Sequence, residues 1–296
     1  MAGREVRVYS RVKGMSRLAA AGAIAILASG LAACGSAAPT ASKANQQAMT
    51  PLQAIQLAAT KTNSVNSFVG TIGMHIKAAG ETGDIGGTFT EQLHPTLLAR
   101  VDFNTFNVAG MSMSGGISEI ITANTLYLKM SMITQALHTS KPWIAIPFSA
   151  LNKMSGLNLG SLLSQTQSSS PLTQTKMFAG ATNVRAVGTG TVNGVPVTEY
   201  SGTISMSAAL AKLPASDRKA LDQEISQAGI TSAHFTAWVD AQHQVRKSVI
   251  IENGKNLSET ITLTITSINQ PVNIQAPPAS QTTTMPANAL NNSSGT

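Results

Sequence analysis

From Ser67 onward, apolar residues return at every second position, and that period is the mark of half-buried antiparallel strands. In Ser67–Lys77, Phe68, Ile72, Met74 and Ile76 share one side, with Thr71, His75 and Lys77 opposite. Phe89, Glu91 and Leu93 alternate, and Leu97, Ala99, Val101 and Phe103 alternate with Leu98, Arg100 and Asp102. Leu126, Leu128 and Met130 alternate with Tyr127 and Lys129, and Trp143–Ile146 is a short strand. Asn193-Gly194 is a strong hairpin signal between Asn183–Thr191 and Val195–Ser205. Three strands follow, His234–Asp240, Gln244–Ile251 and Ser258–Ile268, with a turn at Asn253-Gly254. Gly83-Asp84, Gly86-Gly87 and Gly115-Gly116 read as turns or bulges.

Helical pieces interrupt this pattern. Thr50-Pro51 is an N-cap followed by proline at the first helical position, opening a short helix that ends near Asn63. Leu151–Gln165 and Pro171–Gly180 form a helical interlude around the Ser/Gln stretch 165–170. Met206–Leu213 and Pro214–Ala228 form a second one. No period of 20–50 residues repeats. The expectation is an α+β fold: one large curved antiparallel sheet, a half-barrel, with helices packed on its concave face.

The N-terminus constrains the location of the chain. Arg4, Arg7, Arg11, Lys13 and Arg17 precede an apolar run from Leu18 to Ala33, with Met15 an alternative start to Met1. The run is shorter than the roughly 20 residues of a spanning helix and reads as a signal peptide, residues 1–33. It ends in Leu31-Ala32-Ala33-Cys34-Gly35, a lipobox. The thiolate of Cys34 is nucleophilic enough to take a diacylglyceryl group, and two acyl chains anchor a protein stably. Cys34 is the only cysteine, so no intramolecular disulfide supports the fold. The expected organisation is a lipidated tether over 34–48, one domain over 49–278 and a disordered polar tail over 279–296. A monomer on the extracytoplasmic face of the cell membrane is expected.

Composition excludes several functions. Of the net charge of +7, residues 1–33 carry five basic residues and one acidic residue, and what remains is mild and spread out, unlike a nucleic-acid-binding chain. The histidines at 75, 94, 138, 234 and 243 lack metal-ligand spacing, and no Walker or dinucleotide-binding motif occurs. Gly110–Ser114 lacks the last glycine of a nucleophile elbow, and Ser216–Lys219 matches S-x-x-K at a position explained by helix capping. Neither a cofactor nor an enzymatic activity is expected.

Three stretches carry a resemblance to a family. They are Trp143–Ile146 after a Lys-Pro turn, Phe235–Asp240 running into Val245-Arg246-Lys247, and Pro271–Pro278. With the lipobox and the element order, they make the chain similar to the LppX/LprG-type lipoproteins of actinobacteria, and more distantly to the carriers LolA and LolB. The resemblance covers about residues 50–278 and implies an apolar cavity between sheet and helices that takes acyl chains of a lipid or glycolipid. The candidate walls are the apolar strand sides: Phe68, Ile72, Met74, Leu97, Val101, Phe103, Leu126, Leu128, Phe235, Ala237 and Val239. Leu157, Leu162 and Leu163 would face them from the helical interlude. Eight methionines, at 74, 111, 113, 130, 132, 154, 177 and 206, offer an adaptable lining or ordinary packing. The alternative function is an envelope sensor or interaction lipoprotein with the same fold and a filled core.

Replacing Cys34 by alanine is expected to abolish labelling by radioactive palmitate and to move the protein from the membrane fraction into the soluble fraction.

Overall fold

The computed structural model describes residues 49–285, except 79, 109–110, 113–114, 152–174, 212–225, 227 and 256. Cys34, the signal segment and Leu157, Leu162 and Leu163 lie outside the described residues, as do most of the interludes 151–165 and 214–228.

The chain enters through helix α1, Pro51–Lys61. Thr50 Oγ1 accepts from the Gln53 N–H at 3.3 Å, and Gln53 Oε1 accepts from the Thr50 N–H at 2.9 Å. This reciprocal capping box satisfies two otherwise orphan donors and fixes the start. Ala54, Ile55, Ala58 and Ala59 form the buried side of the helix.

A single sheet follows. Its strands are β1 (Ser67–Ala78), β2 (Glu81–Gln92), β3 (Leu98–Val108), β4 (Met111–Ser112), β5 (Ile117–Ile121), β6 (Thr125–Lys129), β7 (Trp143–Pro147), β8 (Ala181–Val192), β9 (Val195–Ser205), β10 (Ser232–Asp240), β11 (Val245–Asn253), β12 (Leu257–Ile268) and β13 (Thr282–Thr284). The order is β13-β7-β6-β5-β3-β2-β1-β12-β11-β10-β9-β8, with β4 paired on β3. Short helices α2 (Ser131–Ala136), α3 (Phe148–Leu151) and α4 (Met206–Leu210) complete the described elements, with 3-10 turns at Thr62–Ser64, Met177–Gly180 and Ala279–Gln281.

The expected large curved sheet with helix on its inner face is present, and three details are corrected. The sheet is mixed, because β13 runs parallel to β7 while the other pairs are antiparallel. Residues 279–285, read from composition as tail, hold the last 3-10 turn and β13. Gly83-Asp84 is no turn: β2 begins at Glu81, and the chain reverses around Gly80, whose φ is +86°.

Gly70 of β1 and Gly87 of β2 have a packing reason. A Cβ on Gly70 would meet the Thr264 carbonyl and the Phe89 ring, and one on Gly87 would meet the Asp102 carbonyl. The Phe89 ring lies across Gly70 and meets Phe68 edge-on at 5.3 Å between centroids. The β8–β9 turn is as expected, with Asn193 at φ +49° and Gly194 at +78°. The β10–β11 turn is clamped by buried Asp240, whose Oδ1 accepts from the Gln242 and Gln244 N–H groups while Oδ2 accepts from Arg246 Nε at 2.6 Å.

The main core joins α1 to β8–β11: Ile55, Ala58 and Ala59 cluster with Phe178, Ile204, Phe235, Ala237, Val239 and Ile250. Ala237 is wholly buried there. Ala237→Trp is therefore expected to lower stability by about 1–3 kcal/mol through overpacking, read as a lower urea midpoint at unchanged slope.

Candidate functional site

Residues directly opposite in an antiparallel ladder share a face, so the register decides which side chains lie together. One row runs Ile117, Phe103, Gly87, Ile72, Leu263, Ser248, Ala237, Tyr200 from β5 to β9. A second runs Leu128, Glu119, Val101, Phe89, Gly70, Ile265. A third runs Leu126, Ile121, Ala99, Glu91, Phe68, Ile268. A fourth carries Ile85, Met74, Ile261, Ile250 and Phe235. All these rows, and Val239 by its place on β10, lie on the face that receives α1. Leu97 immediately precedes β3 and is buried.

This inner face divides into two halves. Over β9–β12 it is filled: Phe235 and Val239 are each 3% exposed, with Phe178 and Phe235 rings 4.8 Å apart. Those residues, with Ala237, pack the core beneath α1, where the sequence had placed them among the cavity walls. Over β1–β6 the α1 cluster does not reach, and Ile72, Met74, Ile85, Val101, Phe103, Ile117, Leu126 and Leu128 are half-buried. Phe68 is core, packed with Phe89, Leu263 and Ile265. Phe148 closes one end, against Ala99, Ile121 and Leu126.

The methionines do not act as a set. Met74 and Met130 are half-buried, Met206 is core and Met132 is exposed. Met113 and Met154 lie outside the described residues.

Sequence reasoning overlooked the carboxylates of this face. Glu91, Glu119, Glu252 and Glu259 all point inward by register, whereas Lys77, Arg100, Lys129, Arg185 and Lys247 fall on the outer face. Period two alone carried the signal, since Glu91 and Glu119 occupy the apolar parity. Burial pushes the Glu119 carboxyl up from its ordinary value. Glu252 is raised by burial, and its direct cross-strand partner Glu259 is pushed to about 7 by burial and then by the charge of Glu252. Glu259 is 8% exposed, and its Oε1 has no hydrogen-bond partner among the described residues.

No family model matches the chain. An uncharacterized 31.2 kDa protein from the rplA-rplJ intergenic region of Streptomyces griseus is 28% identical over 159 residues, 53% of this chain and 52% of that protein. The chain thus spans about half the length of that curated relative. Among solved structures, it is similar to the lipoprotein LppX of Mycobacterium tuberculosis, at 18% identity and a TM-score of 0.41, over 76% of this chain and 98% of that one. It is also similar to LprF of Mycobacterium bovis, at 14% identity and a TM-score of 0.47, over 77% of this chain and 96% of that one. No described helix is long and apolar enough to cross a membrane.

The carboxyl pair generates a pH prediction. The folded-state value of Glu259 lies above its unfolded value, so folding favours the protonated form. Its stabilising state is fully present below the ordinary glutamate value and is lost as pH rises through about 7. The loss approaches about 3 kcal/mol at alkaline pH. Glu259→Gln is expected to raise the melting temperature in alkaline buffer and leave it little changed in acid. Identical pH profiles for variant and parent would refute the assignment.

Proposed function

We propose that this protein is a membrane-anchored envelope lipoprotein that holds an acyl chain of a lipid or glycolipid against the inner face of β1–β6, carrying it across the envelope. The observation supporting this reading is the half-buried, mainly apolar band that the register assembles from Ile72, Met74, Val101, Phe103, Leu126 and Leu128, with Glu119 between Val101 and Leu128. Such a band needs no catalytic motif, since each buried methylene of a ligand contributes roughly 0.8 kcal/mol. In this reading Leu157, Leu162 and Leu163 cover the band, acylated Cys34 anchors the chain and the fold works as one monomeric domain between tether and tail.

The filled half beneath α1 favours a second reading, an interaction module whose surfaces act instead of a cavity. Native mass spectrometry after gentle extraction separates the two. Co-purifying lipid supports the carrier, and a clean apo mass that takes up no added lipid supports the module.

Phe103→Glu and Leu128→Glu place a charge in the band at half-exposed positions. Each is expected to weaken binding of a neutral fluorescent acylglycerol at least tenfold, with a stability change within about 1 kcal/mol. Unchanged binding in both would remove the band from the function.

A further inference from the structure

The opposite face of the sheet carries a second, differently built pocket. After β12 the chain crosses the outer side of β3, β5, β6 and β7 as a strap, residues 269–281. The strap is pinned at both ends. Asn269 Oδ1 accepts from the Asn66 N–H at 2.6 Å, and Ser67 Oγ donates to the Gln270 carbonyl at 2.6 Å. At the far end Lys141 Nζ donates to the Ala279 and Thr282 carbonyls at 3.3 and 2.9 Å. Val272 and Ile274 press onto Leu98, Ile120, Tyr127 and Trp143. Beside these contacts the strap and the sheet border an open, solvent-facing pocket of about 420 Å³. That lies within the size range of small-molecule sites.

The chemistry of its walls is donor-rich. Arg100 and Lys129 line it from the sheet, and Asn273, Gln275 and Gln281 from the strap. Asp102 occupies Arg100 Nε at 2.7 Å and Nη2 at 3.2 Å, which fixes the guanidinium and leaves its remaining N–H groups for another acceptor. Burial alone would push the Asp102 carboxyl up. Hydrogen bonds from Arg100 and Ser118, with the charges of Arg100 and Lys129, outweigh it and hold the group ionised below its ordinary value. Gln275 Nε2 donates to Asn273 Oδ1 at 3.0 Å, so the Asn273 amide N–H groups are oriented by that bond. Two cations against one already engaged anion, with carboxamides between, suit an oxyanion that carries hydroxyl groups.

We propose that this outer pocket binds a phosphorylated polyol or sugar, either free or as the head of a lipid. It is separate from the acyl band, since Arg100 and Val101 point to opposite faces of β3.

The test is calorimetric titration of the full chain in detergent with three probes: myo-inositol, myo-inositol 1-phosphate and glycerophosphoinositol. Saturable binding of at least one phosphorylated probe and none of myo-inositol is expected. Arg100→Gln and Lys129→Gln should each weaken it about tenfold, whereas Lys247→Gln, on the outer face of β11, should not. A tighter monoester supports a free sugar phosphate, and a tighter diester supports a lipid head. Both substituted side chains are exposed, and unchanged melting of the variants ties the loss to the pocket. No saturable binding of either phosphorylated probe, or binding indifferent to both substitutions, would overturn the proposal.

Discussion

The whole architecture depends on the pairing of β1 with β12. Eleven residue pairs, from Phe68–Ile268 to Ala78–Leu257, join segments 200 to 179 positions apart. Without that ladder the sheet would fall into two pieces, β13-β7-β6-β5-β3-β2-β1 and β12-β11-β10-β9-β8, with β1 and β12 as bare edges. The seam also holds the Phe68–Phe89 contact, with Leu263 and Ile265 beneath it. It brings Glu259 beside Ile76 and continues the inner-face rows from one piece into the other. Such distant pairing carries a large loop-closure cost before its contacts repay it, so assembly of this sheet waits on the end of the chain.

What was legible in the residues was local. Strand β9 occupies Val195–Ser205 as the alternation and Asn193-Gly194 required, and β12 differs from expectation by one residue at its start. The first half of β2, ETGDIGG, hid itself because its three glycines erase the alternation, Gly83 and Gly87 serving close approach to the backbone of β3. Strand β5 was overlooked because Glu119 interrupts its apolar side, and β13 because three threonines at an edge pair by backbone alone. The parity read for Phe68, Ile72, Met74, Val101, Phe103, Leu126, Leu128, Phe235, Ala237 and Val239 sets those strand residues on one face. Which part of that face a helix fills was not legible, because the apolar side of α1 does not record where it docks. The strap was visible only as a proline-rich ending, since its anchors join it to Asn66, Ser67 and Lys141, far away in sequence.

By register, Lys77, Arg100, Lys129, Arg185 and Lys247 all stand on the outer side of the sheet. Burial raises the inward carboxyls of Glu119, Glu252 and Glu259 and so favours their neutral forms. On the outer side Arg100 is tied to Asp102, and Lys247 lies over the Trp238 ring at 4.7 Å. One layer of backbone thus separates a face with raised, buried carboxyls from one on which lysines and arginines lie beside Asp84, Asp102 and Glu199.

The strap ends by laying β13 beside β7, a strand whose Trp143, Ile144, Ala145 and Ile146 are all buried. A chain stopped or clipped after Ile268 would keep the ladders from β1 to β12 yet leave the β7 edge without its cover. That edge is short and uncharged, with no lysine to repel another chain. Residues 282–284 therefore act as a seal that a chain ending before them lacks. Damage there would show itself as clumping between molecules rather than as unfolding within one.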